Sequence, residues 1–259
     1  MITCVAGLTN RSDQLFGIYA NISVWGHENT KSNAYSATVL QVSNDQGTEY
    51  NAIRAGIHTH PSLYNDTKLH LFAQWTTDRD WNTGCYNMDC PGFLPFKDTH
   101  AEIPVPGMVV KELSSYGEVD ASMILQIVKD ERGGIGGDWW LYSMVGPIRL
   151  PVGRWPASLF TGMSRHATEA AWYGAVGIGR RDDDPPAMGS GHGPGEGYTR
   201  AAYFADISLM DNMANPEEHP SLGGVAPMMN DDRCYAVAMD AGGGNTFFYG
   251  GPVNKNYCV

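Results

Sequence analysis

Two histidines two residues apart are the first group in this 259-residue sequence with the makings of a chemical site. On an extended strand, His58 and His60 of His58-Thr59-His60 share a face, so both imidazoles could point at one metal ion. A third ligand would have to come from elsewhere, with His70 and His192 as candidates. The plainer reading is two solvent-facing histidines beside the Pro61 turn. It is adopted here, and no metal is assigned. Asp182-Asp183-Asp184, ahead of Pro185-Pro186, could attract calcium but reads as a solvated loop. The glycine-rich runs 133–137 and 189–197 bridge no strand to a helix, as a dinucleotide fingerprint must, and read as turns. A Gly-x-Ser-x-Gly elbow, a His-Glu-x-x-His pair and a Walker loop are all absent, and no cofactor is expected.

Charge and cysteine usage narrow the partners and the compartment. Seventeen basic against 28 acidic residues give a net charge of −11, and no Lys/Arg cluster offsets it, so nucleic acid is not expected as a partner. No apolar run approaches the ~18–20 residues that cross a bilayer as a helix. The five cysteines point to an oxidising compartment, although Met1-Ile2-Thr3-Cys4 lacks the basic flank and apolar core of a secretory leader. The chain is therefore read as the mature or truncated form of a secreted protein. Cys85 and Cys90 bracket a tight loop, Cys234 and Cys258 could tie down the last hairpin, and Cys4 is left free or available to another molecule. Four cysteines allow three pairings, and spacing alone does not choose among them. Asn10, Asn21 and Asn65 begin glycosylation sequons, of which about two would arise by chance.

The elements that must position these residues are mostly strands. Phe16–Trp25 and Ala37–Ser43 alternate apolar with small or polar residues, and Tyr50–His58, Lys68–Trp75, Met108–Lys111, Ala121–Val128 and Trp139–Val145 read likewise. Strands resume at Tyr198–Ile207, Tyr235–Met239 and Thr246–Tyr249, after a Gly/Pro/Asp-rich stretch, Gly177–Gly197, that reads as a long surface loop. One short helix is expected after Pro156, where Leu159, Phe160 and Met163 recur at helical spacing. Neither a repeat nor a linker divides residues 1–259, and an all-β, two-sheet antiparallel sandwich of jelly-roll type, built as a single domain, fits best.

Further blocks carry a resemblance. Thr83-Gly-Cys-Tyr-Asn-Met-Asp-Cys-Pro-Gly-Phe93 resembles the Thr-Gly-Cys-Tyr-Asn-x-x-Cys-x-Gly-Phe signature of plant neprosin domains. Agreement continues through Pro61–Asp66, Leu71–Asp78, Asp138–Leu141, Gly153–Phe160, Met188–Tyr198 and Phe248–Pro252, in family order from about Phe16 to the C-terminus. The resemblance implies a curved antiparallel sandwich with an open cleft and a glutamic endopeptidase that cuts after proline in acid. It also implies the pairs Cys85–Cys90 and Cys234–Cys258, and a precursor with a leader.

At the catalytic pair the sequence departs from that pattern. The family glutamate of Ile-Glu-Ala-Gly meets Ile53-Arg54-Ala55-Gly56, and that of Trp-Gly-Gly-Glu meets Trp172-Tyr173-Gly174-Ala175, so Arg54 and Ala175 stand where the resemblance implies two acids. A guanidinium stays protonated and alanine carries no proton, so this pair cannot perform the acid–base steps. The leading reading is a non-catalytic binding or structural protein whose former cleft holds an anionic, peptide or glycan ligand. Arg54 and His58 would supply polar contacts and Trp75, Trp172 or Tyr173 a stacking platform. The rivals are a peptidase whose carboxylates have moved, with Glu49, Glu102, Glu169 and Glu196 as candidates, and a self-assembling coat or toxin protein using Cys4 or an exposed sheet edge, which leaves an oligomer open.

Overall fold

Period-two alternation resolves into fifteen strands in the computed structural model, which describes residues 2–45, 47, 49–79, 82–97, 103–130, 137–179, 184–210, 224–253 and 258. In chain order they are β1 (Ile2–Leu15), β2 (Gly17–Ser23), β3 (Tyr35–Asp45), β4 (Tyr50–Thr59), β5 (Leu69–Thr76), β6 (Cys85–Tyr86), β7 (Leu94–Pro95) and β8 (Ser122–Asp130), then β9 (Asp138–Val145), β10 (Ile148–Trp155), β11 (Ala167–Ile178), β12 (Ala202–Met210), β13 (Val225–Met229), β14 (Ala236–Met239) and β15 (Phe247–Gly250). They form two antiparallel sheets, ordered β13-β1-β11-β3-β4-β5-β6 and β14-β15-β12-β2-β8-β9-β10-β7. The expected all-β sandwich is therefore the observed architecture.

Each strand of the first sheet sends alternate side chains inward: Ala6 and Leu8 from β1, Leu40 and Val42 from β3, Ile53, Ala55 and Ile57 from β4, Trp172 and Val176 from β11. They meet Ile18, Ile22, Leu125, Trp139, Leu141 and Phe204 of the second sheet in one buried layer. Thr38 and Tyr249 share a hydrogen bond across it at 2.6 Å, so these two hydroxyls are paired inside the layer.

Several local expectations change. β1 was not legible as a strand because Gly7, Asn10 and the run Arg11-Ser12-Asp13 read as turn residues, yet it pairs with β11 along nearly its whole length. The short helix after Pro156 is a single 3-10 turn, Ala157–Leu159, and an α-helical turn forms at Pro61–Tyr64 instead. Phe160 and Met163 are spaced as on a helix because both plug the core, where Asn51 Oδ1 accepts from the Gly162 and Met163 amides at 2.8 and 3.2 Å. The stretch 177–197 is not all surface: β11 runs through Ile178, and Met188 is fully buried, its amide bonded to the Gly251 carbonyl. Residues 108–111 lie along β5 through an isolated bridge at Val109.

Cys85 bonds Cys90, and Cys234 bonds Cys258. The first loop folds over Trp75. Gly84 and Gly92 take φ of +114° and +144°, and a side chain on Gly92 would overlap the Trp75 indole. Phe93 then enters the core edge-on to Trp155 at 4.8 Å. These contacts account for the spacing of glycines and aromatics in the signature block. Cys4 is the free cysteine and is 4% exposed; burial, and secondarily Asp231, raises its thiol pKa. Ellman's reagent should therefore find no reactive thiol in the native protein and one per chain after unfolding without reductant. Two or more native thiols would contradict this arrangement.

Candidate functional site

The outward face of the first sheet is where strand parity collects polar and aromatic groups. Register across β11, β3, β4 and β5 sets three rows: Ala171, Gln41, Arg54, Gln74; then Tyr173, Val39, Gly56, Phe72; then Ala175, Ala37, His58, His70. Most of these residues, with Thr3, Val5, Tyr35, Tyr86 and Met228, line a depression of about 180 Å³. No carboxylate is among its lining residues.

Gln41 organises the charged end. Its Oε1 accepts from Arg54 Nε at 2.6 Å and from the Tyr173 hydroxyl at 2.9 Å, while its Nε2 donates to Ser43 Oγ at 3.3 Å. Burial pushes the Tyr173 phenol above its ordinary range, and the Arg54 charge works against that shift. Tyr86 is raised in the same way, with Arg54 and a hydrogen bond with Gln74 opposing.

The histidine end is a packed network. Tyr64 OH lies 2.7 Å from His58 Nε2 and accepts from Asn87 Nδ2 at 3.0 Å, so the phenol ties the two side chains together. Burial first, then His60 and His70, pushes the His58 pKa well below its usual value. Burial raises the Tyr64 phenol to about 12. His70 is stacked on Tyr64 at 3.8 Å and places Nδ1 2.8 Å from the Gly107 carbonyl and Nε2 3.0 Å from Asp66. The facing nitrogens of His58 and His70 are thus already engaged, and no group of three His, Cys, Asp or Glu side chains among the described residues is arranged to hold a metal. His192 is far from this pair, bonded to Glu196 at 3.0 Å and packed on Tyr116. Asp184 is exposed and paired to Lys31 at 3.9 Å; Asp182 and Asp183 lie outside the described residues.

Buried neutral histidines make stability depend on pH. His27, His58 and His60 all have pKa values lowered from 6.5 by burial. Below that value the unfolded chain takes up protons that the native state refuses, so their contribution is complete above about pH 6.5 and is lost as pH falls toward the depressed native values. The urea midpoint should accordingly drop between about pH 7 and 5, and His58→Gln should flatten the slope. A midpoint that rises on acidification over this range would contradict the assignment.

The structure brings Arg54, His58, Tyr173 and Ala175 to one depression. Trp75 and Trp172 are corrections. Trp172 precedes Tyr173 by one residue and so points to the other face; it is fully buried, and its Nε1 donates to the Tyr19 carbonyl of the second sheet at 3.0 Å. Trp75 likewise points inward, edge-on to Phe160 at 6.2 Å. The aromatic walls are instead Tyr35, Phe72, Tyr86 and Tyr173. The sequence reading missed Gln41, Gln74, Phe72 and Tyr86, although each sits at an outward position of an alternating run or in the Cys-Tyr-Asn block.

Arg54 and Ala175 do not oppose each other. Two strand spacings and four residues of offset put their Cα atoms about 16 Å apart on a flat sheet. The residue level with Arg54 across β3 is Ala171. Among other carboxylates, Glu169 is one outward position beyond Ala171 and accepts from Thr9 Oγ1 at 3.1 Å. Glu196 is bonded to Tyr116 and His192 and does not line the depression; Glu49 is exposed, and Glu102 lies outside the described residues. Of the sequon asparagines, Asn10 is 3% exposed inside the sheet and has no room for a glycan, Asn21 is half-buried in β2, and Asn65 is exposed at a left-handed turn.

Comparison with known proteins agrees with this architecture. A crystal structure of scytalido-glutamic peptidase with a transition-state analogue inhibitor is similar at a TM-score of 0.50 and 11% identity, covering 97% of this chain and 98% of that one. The structure of SCP-B, a member of the Eqolisin family of peptidases in complex with the tripeptide Ala-Ile-His, is similar at a TM-score of 0.49 and 10% identity over the same shares. At these identities the first likeness speaks for the fold alone. The family model of Neprosin matches residues 32–252, most of the sequence, and the chain belongs to the Neprosin family.

Proposed function

We propose that this chain is a secreted, single-domain binding protein on a glutamic-peptidase scaffold, without the peptidase's carboxylate pair. One observation supports the reading: the depression has no carboxylate among its lining residues and holds the cation Arg54, at the position where the family resemblance implies an acid. The replacement does not depend on which second position is chosen, since Ala171 and Ala175 are both alanine. Water activation needs a base, and expulsion of the amine needs an acid; arginine and alanine offer neither. The two disulfides support an extracellular setting. What remains is a small aromatic-walled basin with one cation, suited to holding a peptide, a glycan or an anion. Binding of peptide and glycan arrays by the purified chain tests the reading, and Arg54→Gln should remove the signal. Arrays blank for both classes would argue for a structural role.

A second reading keeps peptidase activity through Glu169, which shares the outward face with Arg54. Its ties to Thr9 and to Arg11 at 3.7 Å give it a local structural task. Loss of any acid-pH cleavage on Glu169→Gln would favour this reading.

A further inference from the structure

We infer that the depression takes a small organic monocarboxylate, its carboxylate at Arg54 and an apolar or aromatic body lying along the floor toward Ala175. The inference rests on the reading of this face as a binding site and narrows its ligand. Arg54 is the cation among the lining residues, and its field reaches the phenols of Tyr173, Tyr86 and Tyr50. Gln41 anchors its Nε, which fixes the guanidinium on the sheet rather than leaving it to sweep through solvent. Planar recognition of a carboxylate is what a held guanidinium does best.

The other end decides the rest of the ligand. Its floor is Ala37, Val39 and Ala175, and Phe72 carries His58 stacked at 4.3 Å. That histidine is buried, which disfavours its charged form, so no second positive charge among the lining residues answers a dianion such as a phosphate monoester. A sugar laid on this floor would leave hydroxyls facing methyl groups, and each unpaired polar group costs about 1–3 kcal/mol. The volume of about 180 Å³ falls short of the roughly 300 Å³ at which drug-sized sites begin. One ring or one branched aliphatic side chain fills it. The same chemistry occurs in a free organic acid and in the C-terminal residue of a peptide.

Calorimetric titration of the full chain near pH 7 with phenylacetate and with phenylacetamide separates charge from shape. The acid should bind about ten- to a hundredfold more tightly than the amide, and Arg54→Gln should erase the difference while Arg54→Lys keeps part of it. Acetyl-Ala-Ala-Phe with a free carboxylate, run beside its amide, assigns the source: a further gain over phenylacetate means a peptide C-terminus, and none means a free acid. Equal binding of acid and amide, or no binding of either acid, overturns the inference. The array and cleavage assays still judge the broader reading separately. Should Arg54→Gln fail to fold, the acid–amide comparison on the unmodified chain decides the matter alone.

Discussion

Purified protein should leave proline-containing peptides intact at every pH from about 2 to 7, with product no faster than in buffer. An acid–base group contributes ~10²–10⁴-fold to a reaction of this kind, and two that act as a unit are lost together, so at least that much of the rate goes. The positive charge of Arg54 also opposes protonation of any neighbouring base. The register turns this into a sharper experiment. Arg54→Glu with Ala171→Glu puts two carboxylates level across β3, whereas Arg54→Glu with Ala175→Glu leaves them four residues out of step. Any slow cleavage gained should appear in the first double variant and not the second. Acid-pH cleavage by the unmodified chain would refute the binding-protein reading outright. Gain in the Ala175 variant alone would show that the strands are wrongly registered for catalysis here.

Trp172→Ala should cost roughly 4–6 kcal/mol, a large part of the 5–15 kcal/mol that holds a typical domain together. The indole is wholly buried and fills space between the sheets, and removing so large a side chain from a core costs about 3–5 kcal/mol before its hydrogen bond is counted. Loss of Nε1 also strands the Tyr19 carbonyl, adding about 1 kcal/mol. Tyr173→Phe, one residue along the same strand, removes only a hydroxyl bonded to Gln41 at the rim of the depression and should cost about 1 kcal/mol. Urea unfolding of the two variants therefore separates core from site on adjacent residues. Comparable small losses from both would place Trp172 on the ligand face after all.

Much of the fold was legible because the side-chain period of a strand is written directly into the chain. Ala37–Ser43 and Tyr50–His58 carry enough of that period to be read as strands, and their inward Leu40, Val42, Ile53, Ala55 and Ile57 are core residues of β3 and β4. Arg54 and His58 could be placed on one face for the same reason, since a period of two needs no partner strand to be read. The two disulfides followed from the family blocks rather than from spacing, and the structure contains both.

What the sequence left undecided depends on contacts between segments far apart in it. Parity separates Trp172 from Tyr173 but does not say which of them faces the core; β2, which supplies the carbonyl for the indole, begins more than a hundred residues earlier. β1 carries turn-forming residues that read as a loop in isolation, and it becomes a strand because β11 and β13 hydrogen-bond to both of its edges. Nor can residue types alone show that Ala171, rather than Ala175, stands level with Arg54. That is fixed by the pairing of β11 on β3 and of β3 on β4, where a shift of two residues would move the opposing position by about 7 Å. The sequence by itself determined which residues alternate, which could carry a proton and which could not. Only the packed sheets decided which of them meet, because register is settled by burying one whole face of each strand at once.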